Sequence, residues 1–141
     1  MNQSTDIRWQ QRFNNFKRAI LLLRSALEER ALSEYSNLEQ EGIIQRFEYT
    51  LELAWKVLKD RMEDDGIIID TISPKGVIRQ AFNSKYINNP EIWMRMIGDR
   101  NLLSHTYDFE RFSVILQTVK NEYLPVLDGF YLECFAIIIN G

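Results

Sequence analysis

The stretch Ile44-Gln45-Arg46-Phe47-Glu48-Tyr49-Thr50-Leu51-Glu52-Leu53-Ala54-Trp55-Lys56-Val57-Leu58-Lys59-Asp60-Arg61-Met62 decides the fold class. Ile44, Phe47, Leu51, Ala54, Trp55, Leu58 and Met62 recur at helical spacing and make one apolar stripe of a long helix, running from about Leu38 to Asp64. Gly42 is a weak spot near its start, and Asp64-Asp65-Gly66 ends it, with Gly66 at the usual C-terminal cap position. On another side Glu48, Glu52, Lys56 and Lys59 set acids N-terminal to bases, an order that supports a helix by roughly a few tenths of a kcal/mol per pair. That ladder reads either as a solvated face or as a face on which a partner docks.

Outward from this helix the same period returns. Trp9, Phe13, Phe16, Ile20, Leu23 and Leu27 form the inner face of a helix from Ile7 to about Arg30, and Ser33 to Ser36 is a short connection. On the other side, Ile67 to Ile72 is β-branched and apolar but has no second strand to pair with, so it reads as an extended connector lying on the core. Ser73-Pro74 opens a third helix, because serine caps free amides and proline is tolerated in a first turn; Val77, Ile78, Ala81 and Phe82 give it an inner face that fades near Asn83. Asn88-Asn89-Pro90 opens a fourth, with Ile92, Trp93, Met96, Ile97, Leu102 and Leu103. Asp108 starts a last helix through Phe112, Ile115, Leu116, Val119, Tyr123 and Leu127 to about Ile138, which Pro125 should kink or divide. Four to five helices without a sheet predict an all-α, antiparallel up-and-down bundle, with residues 1–141 as one domain.

Composition narrows the function classes. The 45% hydrophobic and 26% charged fractions are those of a globular chain. A lone Cys134 excludes an internal disulfide or a cysteine metal site and reads as a buried thiol. The N-terminus shows no signal peptide, and no apolar run approaches the roughly 20 residues of a membrane helix, so a cytoplasmic protein without a membrane partner is expected. A net charge of -3 argues against nucleic-acid binding by bulk attraction. Yet Lys75, Arg79, Lys85, Arg95 and Arg100 gather in the middle third, where an anionic ligand would meet the chain.

The only histidine, His105, stands near Arg100 and Tyr107 in Gly98-Asp99-Arg100-Asn101-Leu102-Leu103-Ser104-His105-Thr106-Tyr107-Asp108. Arginine offers a planar, permanently charged fork suited to phosphate, and histidine titrates near neutrality. At about 100° per residue, Arg100 and His105 lie about 140° apart on a continuous helix, whereas Asn101 and His105 share a face. Joint action on one ligand atom therefore requires the helix to end around Ser104 or two chains to share the site. The Asp108 start signal favours an end near His105 to Tyr107, and a symmetric dimer would bring two copies together.

No metal and no cofactor is implied by such a set, which suits phosphodiester cleavage of RNA. The histidine would take the proton of a ribose 2′-hydroxyl while the arginine stabilises phosphate charge, giving a 2′,3′-cyclic phosphate. One histidine cannot be both acid and base, a second reason to expect two chains. The structural alternatives are an Arg100 paired with Asp99 or Asp108, and a His105 that caps a helix or is partly buried.

Arg100-Asn101-Leu102-Leu103-Ser104-His105-Thr106-Tyr107 resembles the signature of the HEPN superfamily, in the version with four residues between Arg and His and one between His and Tyr that belongs to HepT-like toxins. Phe47 to Lys56, Ser73-Pro74-Lys75 and Arg79-Gln80-Ala81-Phe82 also resemble, in order, the nucleotidyltransferase substrate-binding family. The resemblance implies a homodimeric bundle with Arg100 and His105 as the catalytic pair, Asn101 in support, and RNA as substrate. It also implies a small nucleotidyltransferase antitoxin as partner, which silences the toxin by AMPylation of Tyr107. The other function the family name suggests is a non-catalytic subunit that presents a substrate to the nucleotidyltransferase.

Overall fold

A computed structural model of the protein describes residues 3–105 and 108–141, and every regular element among them is helical. α1 spans Gln3–Glu29, a 3₁₀ turn follows at Leu32–Glu34, and α2 spans Asn37–Asp64. α3 is Pro74–Asn83 and α4 is Pro90–Leu103. α5 (Phe109–Thr118), a π segment (Val119–Tyr123) and α6 (Leu124–Asn140) then run on without interruption as a fifth rod.

Local chemistry sets these boundaries. At the start of α2 the Ser36 hydroxyl accepts the Glu39 N–H at 3.1 Å, and the Glu39 carboxylate accepts the Ser36 N–H at 2.9 Å, a reciprocal cap. At its end Gly66 takes φ +82, and the Gly66 and Ile67 N–H groups bond back to Glu63 and Met62 at 3.0 and 2.9 Å. Ser73 caps α3 at 3.0 Å on Gly76 N–H, with Pro74 in the first turn. The division expected from Pro125 takes the form of the π segment just before it. Proline has no N–H to give, and its ring would crowd the Asn121 carbonyl in a regular helix. The wider turn, closed by Leu124 N–H on Val119 C=O, accommodates it.

Contacts between rods fix the up-and-down order. Arg12 meets Asp60, whereas Arg30 meets Glu39, so α1 and α2 are antiparallel. Ser104 meets Glu48, while Arg100 lies against Glu52, so α4 is antiparallel to α2. Asp99 meets Tyr123, and Trp93 meets Phe130, so the last rod runs antiparallel to α4. One core joins them. Phe16, Ile20, Leu23, Phe47, Leu58, Met62, Ile78, Trp93 and Met96 are fully buried, each contributing roughly 1.5–3 kcal/mol for a typical apolar side chain. Phe130 packs between Phe16 and Trp93 at ring distances of 5.7 and 5.5 Å.

Three packing expectations need correction. Ile67 and Ile69 do lie on the core, but Ile68 and Ile72 between and beyond them are exposed, because an extended chain alternates its sides. Phe82 is 47% exposed rather than inward. Val77, Ile78 and Ala81 fill the inner arc, and Phe82 falls on the arc of Lys75 and Arg79, within about 60° of both. Leu102 is also exposed at the edge of its stripe, while Leu103 is buried.

The end of the bundle formed by the start of α1 and the end of α2 holds buried charge. Asp60 is fully buried and accepts Arg12 Nε–H at 2.7 Å and Lys59 at 3.5 Å. Buried Arg61 lies 5.8 Å from the Trp9 ring centre and 5.2 Å from that of Tyr86, and donates to Glu133 at 3.3 Å and to the Cys134 sulfur at 3.6 Å. Burial pushes the Cys134 thiol up to about 12, in keeping with the buried thiol expected. Among the described residues no helix is long and apolar enough to cross a membrane.

Candidate functional site

The antiparallel pairing of α4 with α2 sets the last turn of α4 beside Glu48, Glu52 and Trp55. Half-buried Arg100 and exposed Asn101 border a recess of about 20 Å³ closed by Leu51, Glu52, Trp55, Pro74 and Ile97. Glu52 accepts Lys56 at 3.0 Å and the Trp55 indole N–H at 3.1 Å. Burial raises its carboxyl, but Lys56, the indole N–H and the Arg100 charge more than offset this, and it titrates below its ordinary value.

Arg100 itself has no carboxylate within 4 Å among the described residues. The two acids suggested as its structural partners are engaged elsewhere. Asp99 accepts the Tyr123 hydroxyl, and burial followed by that carboxylate raises the phenol pKa. Asp108 caps α5 by accepting the Glu110 N–H at 3.0 Å. The Asp99 bond anchors α4 to the π segment, so the turn carrying Arg100 is fixed by its neighbour rather than by Arg100.

The helix ends where joint action of Arg100 and His105 requires. α4 stops at Leu103; Ser104 N–H reaches back to Arg100 C=O at 3.3 Å, and His105 N–H to Leu102 C=O at 3.0 Å, a tightened final turn. The Ser104 hydroxyl has one proton to share between Arg100 C=O at 3.2 Å and the Glu48 carboxylate at 3.4 Å. His105 is exposed beyond this turn, and its ring makes no hydrogen bond or ion pair among the described residues. It is neither a cap nor a buried histidine. Among the described residues no hydrogen bond joins it to Arg100; both lie in or just beyond the last turn of α4. Tyr107 lies outside the described residues.

The α2 ladder is more than a solvated face. Glu48 and Glu52 turn toward α4, while Lys59 pairs with Glu63 at 3.0 Å and reaches Asp60. A second recess of about 270 Å³ opens between Glu41, Gln45 and Glu48 of α2 and Leu103, Ser104 and Phe112. Sequence reasoning did not place Glu48, Glu52 and Trp55 at the motif. The available signal was their spacing of three and four residues on the helix antiparallel to α4.

The bundle carries this arginine and exposed histidine at the end of one helix, and a family model matches most of the chain around them. The protein belongs to the nucleotidyltransferase substrate binding protein like family, whose model matches residues 11–134. It is similar to the probable ribonuclease HepT of Haemophilus influenzae, with 36% identity over 95 residues, 65% of this chain and 64% of that protein. The match thus spans just under two thirds of that relative's length. The fold is similar to a crystal structure from Thermus thermophilus, with a TM-score of 0.70 and 30% identity over 84% of this chain and 96% of that one. The resemblance to HepT-like HEPN proteins is thereby borne out.

Proposed function

We propose that this protein is a HepT-like ribonuclease toxin that cleaves RNA without a metal through Arg100 and His105. The observation that carries the reading is an arginine with no carboxylate within 4 Å among the described residues and an exposed histidine, both at the end of α4. The named activity of the Haemophilus relative supports it. His105 takes the proton of a ribose 2′-hydroxyl, the oxygen attacks the adjacent phosphorus, and the 5′-oxygen leaves, giving a 2′,3′-cyclic phosphate and a 5′-hydroxyl. Arg100 holds the non-bridging oxygens as charge grows on them, and Asn101 supports it at the recess. A second copy related by a two-fold axis supplies the acid that one histidine cannot.

Control falls to a nucleotidyltransferase antitoxin acting at Tyr107. The phenol oxygen attacks the α-phosphorus of ATP and pyrophosphate leaves, which places an AMP group two residues from His105, where an RNA phosphate must sit. Purified protein should cleave RNA in EDTA, and His105→Ala and Arg100→Ala should each abolish cleavage. Equal cleavage by either variant would sink the assignment. Intact mass after incubation with the partner and ATP should rise by AMP units, and Tyr107→Phe should remove that gain.

One observation favours a second reading as a non-catalytic substrate-binding subunit. The carboxylates of Glu52, at the Arg100 recess, and of Glu48, against Ser104, disfavour a polyanion. That reading requires a stable complex with the nucleotidyltransferase and no RNA cleavage at any protein concentration.

A further inference from the structure

α3 runs antiparallel along α4, from the recess at Arg100 to an open cavity of about 640 Å³ at the other end. Pro74, in the first turn of α3, shares the recess with Arg100 and Asn101. Phe82, in the last turn, and Lys85 just beyond it line the cavity with Tyr86, Trp93 and Phe130. Between these ends the outer arc of α3 carries Lys75, Arg79 and Phe82, all three exposed. Lys75 and Arg79 lie one helical turn apart, about 6 Å along the axis, a step comparable to that between neighbouring phosphates on an extended strand.

These cations differ from most others on the molecule. Arg8, Arg12, Arg24, Arg30, Lys56, Lys59, Arg61 and Arg95 each have a carboxylate within 4 Å. Lys75, Arg79, Lys85 and Arg100 have none among the described residues. The carboxylate at the cavity wall, Glu133, is held by Arg61. In a chain of net charge -3, a row of uncommitted cations that ends against aromatic side chains has the make-up of a single-strand track: charges follow the backbone, and rings take the faces of bases.

We infer that α3 is the path along which single-stranded RNA leaves Arg100, with phosphates on Lys75 and Arg79 and a base entering the cavity against Phe82 and Tyr86. The inference rests on the ribonuclease reading for its substrate and adds a binding path remote from His105. It makes binding, and not only cleavage, depend on strand length. An oligonucleotide that covers only the Arg100 end gains nothing from α3, whereas one long enough to reach Phe82 does.

The test uses His105→Ala protein, which keeps the RNA intact, and single-stranded oligonucleotides of increasing length. Lys75→Ala/Arg79→Ala in that background should weaken binding of the longer strands about tenfold or more at low salt. It should also reduce the slope of log affinity against log salt by about 1.4, from ~0.7 per single-strand phosphate contact. Phe82→Ala should weaken binding with no change in that slope. Lys17→Ala/Arg18→Ala, which removes the same charge from α1, should change neither affinity nor slope. Equal affinity and slope for the Lys75/Arg79 and Lys17/Arg18 variants would overturn the track while leaving the ribonuclease reading intact if wild type still cleaves. Absence of both binding and cleavage would overturn the two together. Loss of a protein partner in the Lys75/Arg79 variant, with RNA binding unchanged, would assign α3 to an acidic protein surface and overturn the proposal.

Discussion

Arg61, at the C-terminal end of α2, and Arg100, beside Glu52 and Trp55 near the middle of α2, are treated in opposite ways. Arg61 is buried against the rings of Trp9 and Tyr86 and donates to Glu133 and Cys134, beside an Asp60 that Arg12 neutralises. Arg100 touches a small recess, polarises Glu52 from a distance, and has no carboxylate within 4 Å among the described residues. Burying a charge costs several kcal/mol unless a partner repays it, so the first is committed to holding helices together. The second leaves its fork to whatever arrives from solvent. The contrast is one of partnership, which residue type alone does not reveal.

The largest expected effects test that separation directly. Arg100→Ala should bring RNA cleavage to background, a loss of at least about 10²–10³-fold, the scale for losing one preorganised charge stabiliser, and leave stability within about 0.5 kcal/mol. Arg12→Ala should do the reverse. It strands the buried Asp60 carboxylate and should cost about 3 kcal/mol in urea unfolding, with cleavage retained at temperatures where the protein stays folded. If Arg100→Ala unfolds the protein as readily as Arg12→Ala, the comparison fails.

Next in size is Gly76→Ala. A Cβ at this position would lie 2.1 Å from the Thr71 carbonyl oxygen, so the connector must shift, at a cost of about 1–3 kcal/mol. The effect reaches the Arg100 end, because Pro74 closes the recess there. Thermal unfolding should show the loss, and cleavage should fall with it. A neutral substitution would mean that the α3 start is not held by this close approach.

Helix periods and caps made most of the architecture legible. Ser36, Ser73, Gly66 and Asp108 mark boundaries within a residue or two of those observed, since each is a local hydrogen-bond or φ requirement. Pro125 announced a division, but that the chain resolves it by a π segment depends on packing around Tyr123 and Asp99, which are 24 residues apart. At the motif, the spacing of Arg100 and His105 left two routes to one site, a helix end near Ser104 or two chains, and α4 ends at Leu103. The proximity of Glu48, Glu52 and Trp55 was not legible. Their spacing puts them on one face of α2, but that this face meets α4 arises only from the pairing of the two helices.

Lys85 tests the division between stability and function within one residue. It sits at φ +65 just past the end of α3, where Lys85 and Tyr86 N–H groups close the helix onto Phe82 and Ala81, so a side chain occupies a position suited to glycine. Lys85→Gly should stabilise the protein by up to about 1 kcal/mol in urea unfolding. It should also weaken binding of long RNA, because it removes a cation at the cavity. A gain in stability with no loss in RNA affinity would confine Lys85 to the helix end.

The smallest effect belongs to Glu52, and its sign follows from its lowered pKa. A carboxyl that titrates below its ordinary 4.5 in the folded state binds fewer protons there than in the unfolded chain. Its stabilising interactions with Lys56, Trp55 and Arg100 are therefore complete above about pH 4.5 and fade as the pH falls through the lowered folded value. Glu52→Gln should lower the urea midpoint slightly near neutrality, and the difference from wild type should shrink toward strongly acidic pH. Since Arg100 contributes to the lowering, Arg100→Ala should move the Glu52 titration upward in an NMR experiment, whereas Arg61→Ala, nine residues on along α2, should leave it in place. A Glu52 titration indifferent to Arg100 would show that the two side chains do not share a field.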